Sequence, residues 1–223
     1  MRTKSKALLL ILCTVLLISG TVLGTLAYLT DRDQVVNTFT VGNVQIELDE
    51  VEVTPDGIPV QDKDGNTIRT EEGNEYHLIP GQTYVKDPTV TVLAGSEASY
   101  VRMMVTINCI SELKAIFGDD FLPQNYVEGW DNKIWSCVGT TDNGDNTLTY
   151  EFRYHNIVDT FTSENDLMLE PLFTKFTVPG EITGEQLATI ADLKIDVIGH
   201  AIQAATFTSA DDAWVAFGTQ YKP

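Results

Sequence analysis

Apolar and polar residues alternate along much of this chain, and a two-residue period predicts strands rather than helices. The clearest case is the segment 101–109, where Val, Met, Val, Ile and Cys share one face and Arg, Met, Thr and Asn the other. The same alternation recurs over residues 147–154. Just before it, residues 142–146 read DNGDN, which predicts a hairpin turn between two antiparallel strands.

Two longer apolar patterns change phase at a glycine. In residues 38–48 the apolar positions move to the opposite parity after Gly42, and in residues 193–204 they do so after Gly199. A one-residue slip beside a glycine is typical of a β-bulge. Both segments are therefore predicted to be long strands bent near the middle.

Helical signals are few and short. Residues 111–117 predict a helix with Ser111 as N-cap, residues 185–190 predict one helical turn, and Ser209 is the predicted N-cap of a last helix. About eight or nine strands without a βαβ rhythm indicate an all-β fold, here an antiparallel jelly-roll-like β-sandwich with a few short helices. Residues 37–223 are predicted to form it as a single domain.

The N-terminal pattern differs from the rest of the chain. Three basic residues precede an almost unbroken apolar run at 7–18, and Thr25 and Ala27 supply small residues at the cleavage positions. We therefore predict a signal peptide at residues 1–27 and a mature N-terminus at Tyr28. A retained anchor is the alternative, since the uncharged stretch matches the about 20 apolar residues that cross a bilayer core. With cleavage, contact with the membrane is limited to this segment before processing.

The charge of the mature chain narrows the function further. Removing residues 1–27 takes away three of 14 basic residues and none of 32 acidic ones, which leaves 11 against 32 and a net charge of −21. Nucleic-acid binding requires a basic patch, so this class is excluded. Multivalent cations and a self-repelling, soluble surface are favoured instead.

Cysteine chemistry is limited to two residues after processing. Cys109 and Cys137 could form a disulfide outside the cell, which would stabilise the fold by about 3 to 4 kcal/mol. Two free buried thiols are the alternative. Two cysteines without a CxxC spacing do not make a zinc site.

Catalytic and metal-binding motifs are not found. The sequence contains no HExxH, GxSxG, P-loop or GxGxxG, and His77, His155 and His200 are far apart. Residues 62–66 carry Asp, Asp and Asn at alternating positions, and residues 142–146 are similarly rich in Asp and Asn, but the glycine of an EF-type loop is misplaced. Hairpin turns explain both better. We expect no cofactor and no enzymatic activity, with weak Ca²⁺ binding left open by the charge.

Several segments resemble the TasA/camelysin family of secreted proteins. They are TLAYLTD at 25–31, NTFTVGN at 37–43, PGQTYVKDP at 80–88, AIQA at 201–204 and AWVAF at 213–217. The resemblance implies a Gram-positive source, processing by a SipW-type signal peptidase and an extracellular structural role in biofilm-matrix fibres. Because camelysin is classed as a metallopeptidase, the resemblance also implies an enzyme as an alternative function. This sequence offers no pair of metal ligands at the spacing of a metal site.

The resemblance also implies a mechanism of assembly. Residues 28–36 form an N-terminal extension that would be donated as a strand to the next subunit, with Leu29, Val35 and Val36 filling pockets. The partner is then another copy of the chain in a head-to-tail homopolymer, with other matrix proteins as further candidates. A monomeric secreted or surface-associated accessory module is the alternative, in which this extension pairs within its own subunit or is unordered.

Overall fold

Twelve strands and three short α-helices form the part of the chain that the computed structural model describes, residues 30–33 and 43–220. The strands are β1 Thr30–Asp33, β2 Ile46–Val51, β3 Arg69–Thr70, β4 Thr83–Val85, β5 Thr89–Val92, β6 Ser99–Ile107, β7 Val127–Glu128, β8 Trp135–Asp142, β9 Leu148–Tyr154, β10 Leu167–Met168, β11 Lys175–Thr177 and β12 Ile195–Gln203. The helices are α1 Ile110–Phe117, α2 Gly184–Thr189 and α3 Ala210–Gln220, with a 3₁₀ turn at Pro123–Tyr126. The all-β prediction with a few short helices is confirmed.

The strands form three antiparallel sheets. A five-stranded sheet has the order β1-β12-β6-β9-β8, a four-stranded sheet the order β10-β5-β2-β3, and a three-stranded sheet the order β4-β11-β7. Non-consecutive strands lie next to each other in all three. Most of the pairing is therefore between segments far apart in the sequence.

The main core lies between the five-stranded and four-stranded sheets. The predicted alternation of β6 is confirmed, since Val101, Met103, Val105 and Ile107 are buried and the residues between them are only partly so. They share one apolar cluster with the fully buried Val90 and Val92 of β5, among others. Each such side chain contributes about 1.5 to 3 kcal/mol on burial.

The bend predicted at Gly199 is wrong. β12 pairs with β6 in one continuous register from Ile195 opposite Ile107 to Gln203 opposite Ser99. The apolar phase shifts because α3 covers the outer face of β12, so that Ile202 is as buried as Ala201 on the other face. The bend predicted at Gly42 lies outside the described residues.

The predicted first helix is confirmed as α1, but its N-terminus is not the one expected. The helix begins at Ile110, and the N-cap is Cys109 in the left-handed region with φ 56°. Asn146 supplies what a capping side chain would, since its Oδ1 accepts from the Ser111 N–H at 2.8 Å. The cap was missed because it comes from the β8–β9 turn, distant in sequence.

Two other predictions from short stretches of sequence are confirmed. The last helix is capped by Ser209, whose Oγ accepts from the Asp212 N–H at 3.2 Å. The hairpin at 142–146 is closed by a hydrogen bond from the Asn143 N–H to the Thr147 carbonyl at 3.2 Å. Both features depend on neighbours in sequence, which is why the sequence predicts them.

Candidate assembly site

The outer edge of the five-stranded sheet is formed by β1, which lies inside the predicted extension 28–36. Thr30 pairs with Ile202 and Asp33 with Gly199, antiparallel to β12. Of the predicted assembly residues, Leu29, Val35 and Val36 lie outside the described residues. The same is true of the signal peptide and of the cleavage residues Thr25, Ala27 and Tyr28.

Among the described residues, β1 pairs with half of the β12 edge. Within the described residues, 195–198 of β12 pair with β6 alone, whereas 199–202 also pair with β1. A cavity of about 460 Å³ lies beside this half, lined by residues 195–198 and, across from them, by Leu48 and other residues of the β2 side. A strand edge beside a cavity can accept backbone hydrogen bonds and side chains from an added strand.

Gly199 brings β12 close to the facing sheet. A Cβ at this position would lie 3.3 Å from Ile46 Cδ1 and 3.5 Å from Val90 Cγ2. Because Gly199 has no side chain, β12, the strand that pairs with β1, can lie close to the facing sheet.

The outer face of β12 is held by an arginine of β6 that contacts three other elements. Arg102 of β6 donates from Nε to His200 Nδ1 at 3.1 Å and from Nη1 to Glu151 Oε1 at 3.2 Å. Its guanidinium carbon lies 4.3 Å from the ring centre of Trp214 and 5.0 Å from that of Phe217, both on α3. Burial lowers the pKa of Arg102, and the negative charge of Glu151 opposes this shift. The guanidinium remains charged in either case.

A second arginine ties the start of α3 to the sheet. Arg153 of β9 bonds to Glu151 Oε1 at 2.7 Å and to Asp211 Oδ1. Side chains therefore hold β12, the strand that pairs with β1, on its outer face as well as on the face that packs in the core. The sequence analysis missed these residues, although Arg102 sits at an outward position of the alternating pattern.

The proposed disulfide does not exist in this fold. Cys109 and Cys137 are both free thiols. Cys137 is opposite Phe152, which is opposite Met103, and Cys109 follows Met103 by six residues. At about 3.3 Å per residue the two Cα atoms are on the order of 20 Å apart, whereas a disulfide needs less than about 7 Å. Burial raises the pKa of both thiols, which makes them weak nucleophiles at neutral pH.

The histidines and the candidate Ca²⁺ loops are likewise separate. His77 and His155 are exposed, and His200 is buried with its ring 4.6 Å from that of Phe217. In the described part of the chain no group of three or more His, Cys, Asp or Glu side chains is arranged to hold a metal ion. The Asp62 carboxylate accepts from the N–H groups of Asp64 and Asn66 at 2.8 and 2.9 Å, as the hairpin interpretation requires.

Comparison with known proteins adds no relative. No protein-family model matches this chain, and no curated protein or solved structure does so either. Within residues 30–33 and 43–220, no helix has the length and apolar character needed to cross a membrane.

Proposed function

We propose that this chain is a secreted structural protein that assembles outside the cell into biofilm-type fibres. Each subunit donates its residues 28–36 as a strand to the β12 edge of the next subunit. The observation that carries the proposal is the position of β1, which is held at a sheet edge by pairing with a single strand. A SipW-type signal peptidase would expose the donated segment by cleaving after Ala27.

We also propose that the two main sheets form a jelly-roll-like β-sandwich. An antiparallel jelly-roll-like β-sandwich, preceded by a signal peptide, would present its open edges at the side of the two main sheets. The common core of the five-stranded and four-stranded sheets supports a sandwich.

Exchange of β1 between subunits keeps its backbone hydrogen bonds. A segment donated from another copy meets the same β12 residues in the same register, so the edge is satisfied equally well. Continuing that register in the acceptor places Val35 opposite Val197 and Val36 opposite Asp196, along the half of β12 beside the cavity. The contact joins different surfaces of the two copies and does not close, so it generates a filament.

A monomeric accessory module is the second candidate. The observation that favours it is that β1 pairs with β12 of its own chain. Whether the strand is used within one chain or between chains therefore decides between the two functions.

The deciding experiment uses a disulfide to link β1 covalently to the β12 strand with which it pairs. Asp31 is opposite Ala201, so the double variant Asp31→Cys, Ala201→Cys places two thiols across the β1–β12 pair. It is made in a background with Cys109→Ser and Cys137→Ser and oxidised under conditions in which the intact protein forms filaments. Donation between subunits gives a covalent ladder on a non-reducing gel, and the ladder collapses on reduction.

Two outcomes contradict the proposal. Filaments that contain only intramolecularly bridged monomers would show that assembly does not use β1. A protein that gives no filaments under any condition and only bridged monomers would favour the accessory module. The single variant Asp31→Cys in the same background controls for random oxidation.

A further inference from the structure

A buried carboxylate joins a lysine to an asparagine where β2 pairs with β3 in the four-stranded sheet. Glu50 of β2 accepts from Lys86 Nζ through Oε2 at 2.6 Å and from Asn74 Nδ2 through Oε1 at 2.9 Å. Only 6% of Glu50 and 7% of Lys86 are exposed. One carboxylate therefore holds an amine and a carboxamide side by side, away from bulk water.

The Asn74 amide is oriented by the backbone of β2 and its continuation. Its Oδ1 accepts from the Val53 N–H at 2.8 Å, and its Nδ2 donates to the Val51 carbonyl at 2.8 Å. The carbonyl oxygen thus already has a backbone donor of the kind that stabilises an oxyanion. The amide nitrogen is fixed beside the Glu50 carboxyl group, which can supply a proton to it.

We propose that Lys86 and Asn74 form an intramolecular isopeptide bond, with Glu50 as the catalytic proton carrier. A desolvated lysine amine beside a general base is an activated nucleophile. Because both reacting groups are held by the same carboxylate, the reaction has the advantage of proximity. Each group contacts one oxygen of the Glu50 carboxylate, so Nζ and the Asn74 amide are neighbours.

The atoms balance without an added reagent. Glu50 takes a proton from the Lys86 ammonium, and the free Nζ adds to Asn74 Cγ while the oxygen charge is stabilised by the Val53 N–H. Glu50 then returns the proton to Nδ2, the Cγ–Nδ2 bond breaks and ammonia leaves. The second Nζ proton passes through Glu50 to the ammonia, so the products are a secondary amide and an ammonium ion. The cavity beside Gly73, Glu50 and Lys86 gives the leaving group a route to solvent.

The bond would constrain the polar segment between β2 and β4. Tyr76 and Tyr84 lie between the joined residues and pack edge-to-face with ring centres 5.7 Å apart. Without the bond this region is held by hydrogen bonds and a small aromatic cluster. With it, residues 74–86 become a closed loop that limits local unfolding.

The test is a peptide map of the full-length mature protein, denatured and digested with trypsin. If the bond forms, Lys86 is acylated and not cleaved, and the map contains one peptide of residues 70–102 that is lighter by one ammonia. Digestion with a glutamate-specific protease then cuts after Glu75, yet the fragments on either side stay joined. A succinimide at Asn74 also loses ammonia, but it leaves Lys86 cleavable and the fragments separate.

Variants assign the roles. Lys86→Met, Asn74→Ala and Glu50→Gln should each restore the full mass, whereas Lys175→Met, at an exposed lysine of β11, should keep the loss of ammonia. Should a triad variant fail to fold, the peptide map of the unchanged protein decides by itself. Peptides of residues 70–86 and 87–102 at full mass, from folded protein held at neutral pH for days, would overturn the proposal.

Discussion

The two edges of the five-stranded sheet are built in opposite ways. β8 forms one edge over eight residues and is joined to its neighbour β9 by the turn at 142–147. β1 forms the other edge with Thr30–Asp33 in the described part of the chain, and its neighbour β12 is about 170 residues away in the sequence. β8 also carries a register shift between Cys137 and Gly139, a bulge that disturbs further pairing.

Under the proposed function, this difference favours the β1 edge over the β8 edge as the site of assembly. A strand tied to its partner by a short turn cannot be exchanged without unfolding the hairpin, and a bulge protects its free side. A short strand at the end of a long connection loses little when an identical segment replaces it. We therefore expect changes at the β1–β12 edge to affect assembly and changes at the β8 edge to leave it intact.

The largest effect is expected from deleting residues 28–36 from the mature protein. The variant should remain folded by circular dichroism, since the main core cluster of the described residues forms between the two main sheets, but should form no filaments in electron micrographs. Val138→Lys, at an exposed position of the β8 bulge, is the matched control and should leave filaments unchanged. Unchanged filaments from the deletion variant would rule out strand donation.

The outer support of β12 should contribute several kcal/mol. Trp214 is 4% exposed and lies under Arg102, so Trp214→Ala should lower the free energy of unfolding by about 3 to 5 kcal/mol. Val215, on the same helix, is 70% exposed, and Val215→Ala should change it by about 0.5 kcal/mol at most. Urea denaturation measures both, and equal effects would contradict the docking role of α3.

Alanine substitutions at Gly199 in β12 and Gly139 in β8 compare the effect on stability at the two edges. Gly199→Ala pushes a methyl group against Ile46 and should cost about 1 kcal/mol, the low end for overpacking because that contact is a flexible side-chain end. Gly139→Ala in β8 meets nothing within 4 Å and should be neutral or stabilise by about 0.5 kcal/mol. Thermal unfolding of the two variants under one condition gives the difference, and a larger loss for Gly139→Ala would reverse the comparison.

The smallest effect concerns pH on the β8 side. The Tyr154 hydroxyl donates to Glu170 Oε2 at 2.6 Å, and this bond holds the pKa of Glu170 below its ordinary 4.5. A lowered pKa in the folded state contributes stability above pH 4.5 that is lost as the pH falls through the folded value.

Because Glu170 is exposed, the contribution is about a few tenths of a kcal/mol. Tyr154→Phe should remove that part of the acid sensitivity, as followed by urea denaturation at pH 7 and pH 3. A variant with the same difference between the two pH values as the unchanged protein would show that this bond has no role.

Features set by neighbouring residues could be predicted from the sequence. The alternation of β6, the turn at 142–146 and the cap at Ser209 each depend on a short window of residues, and each is confirmed. Their physical causes are a two-residue side-chain period, turn chemistry and a hydroxyl that accepts from an N–H two or three residues on.

Features that depend on tertiary pairing could not be predicted from the sequence. The phase shift at Gly199 resembles a bulge because the sequence does not show that α3 covers the outer face of β12. The separation of Cys109 from Cys137 depends on register across β6, β9 and β8. The contacts of Arg102, and those of Glu50 with Lys86 and Asn74, likewise join residues that no local pattern connects.

The length of chain between β1 and β12 also has a consequence for timing. The ribosome makes Thr30 early and its partner Ile202 only after about 170 more residues. Contacts between such distant segments form late in folding because closing the long loop costs entropy first. Until β12 has emerged and paired with β6, the N-terminal strand has no edge of its own chain to occupy.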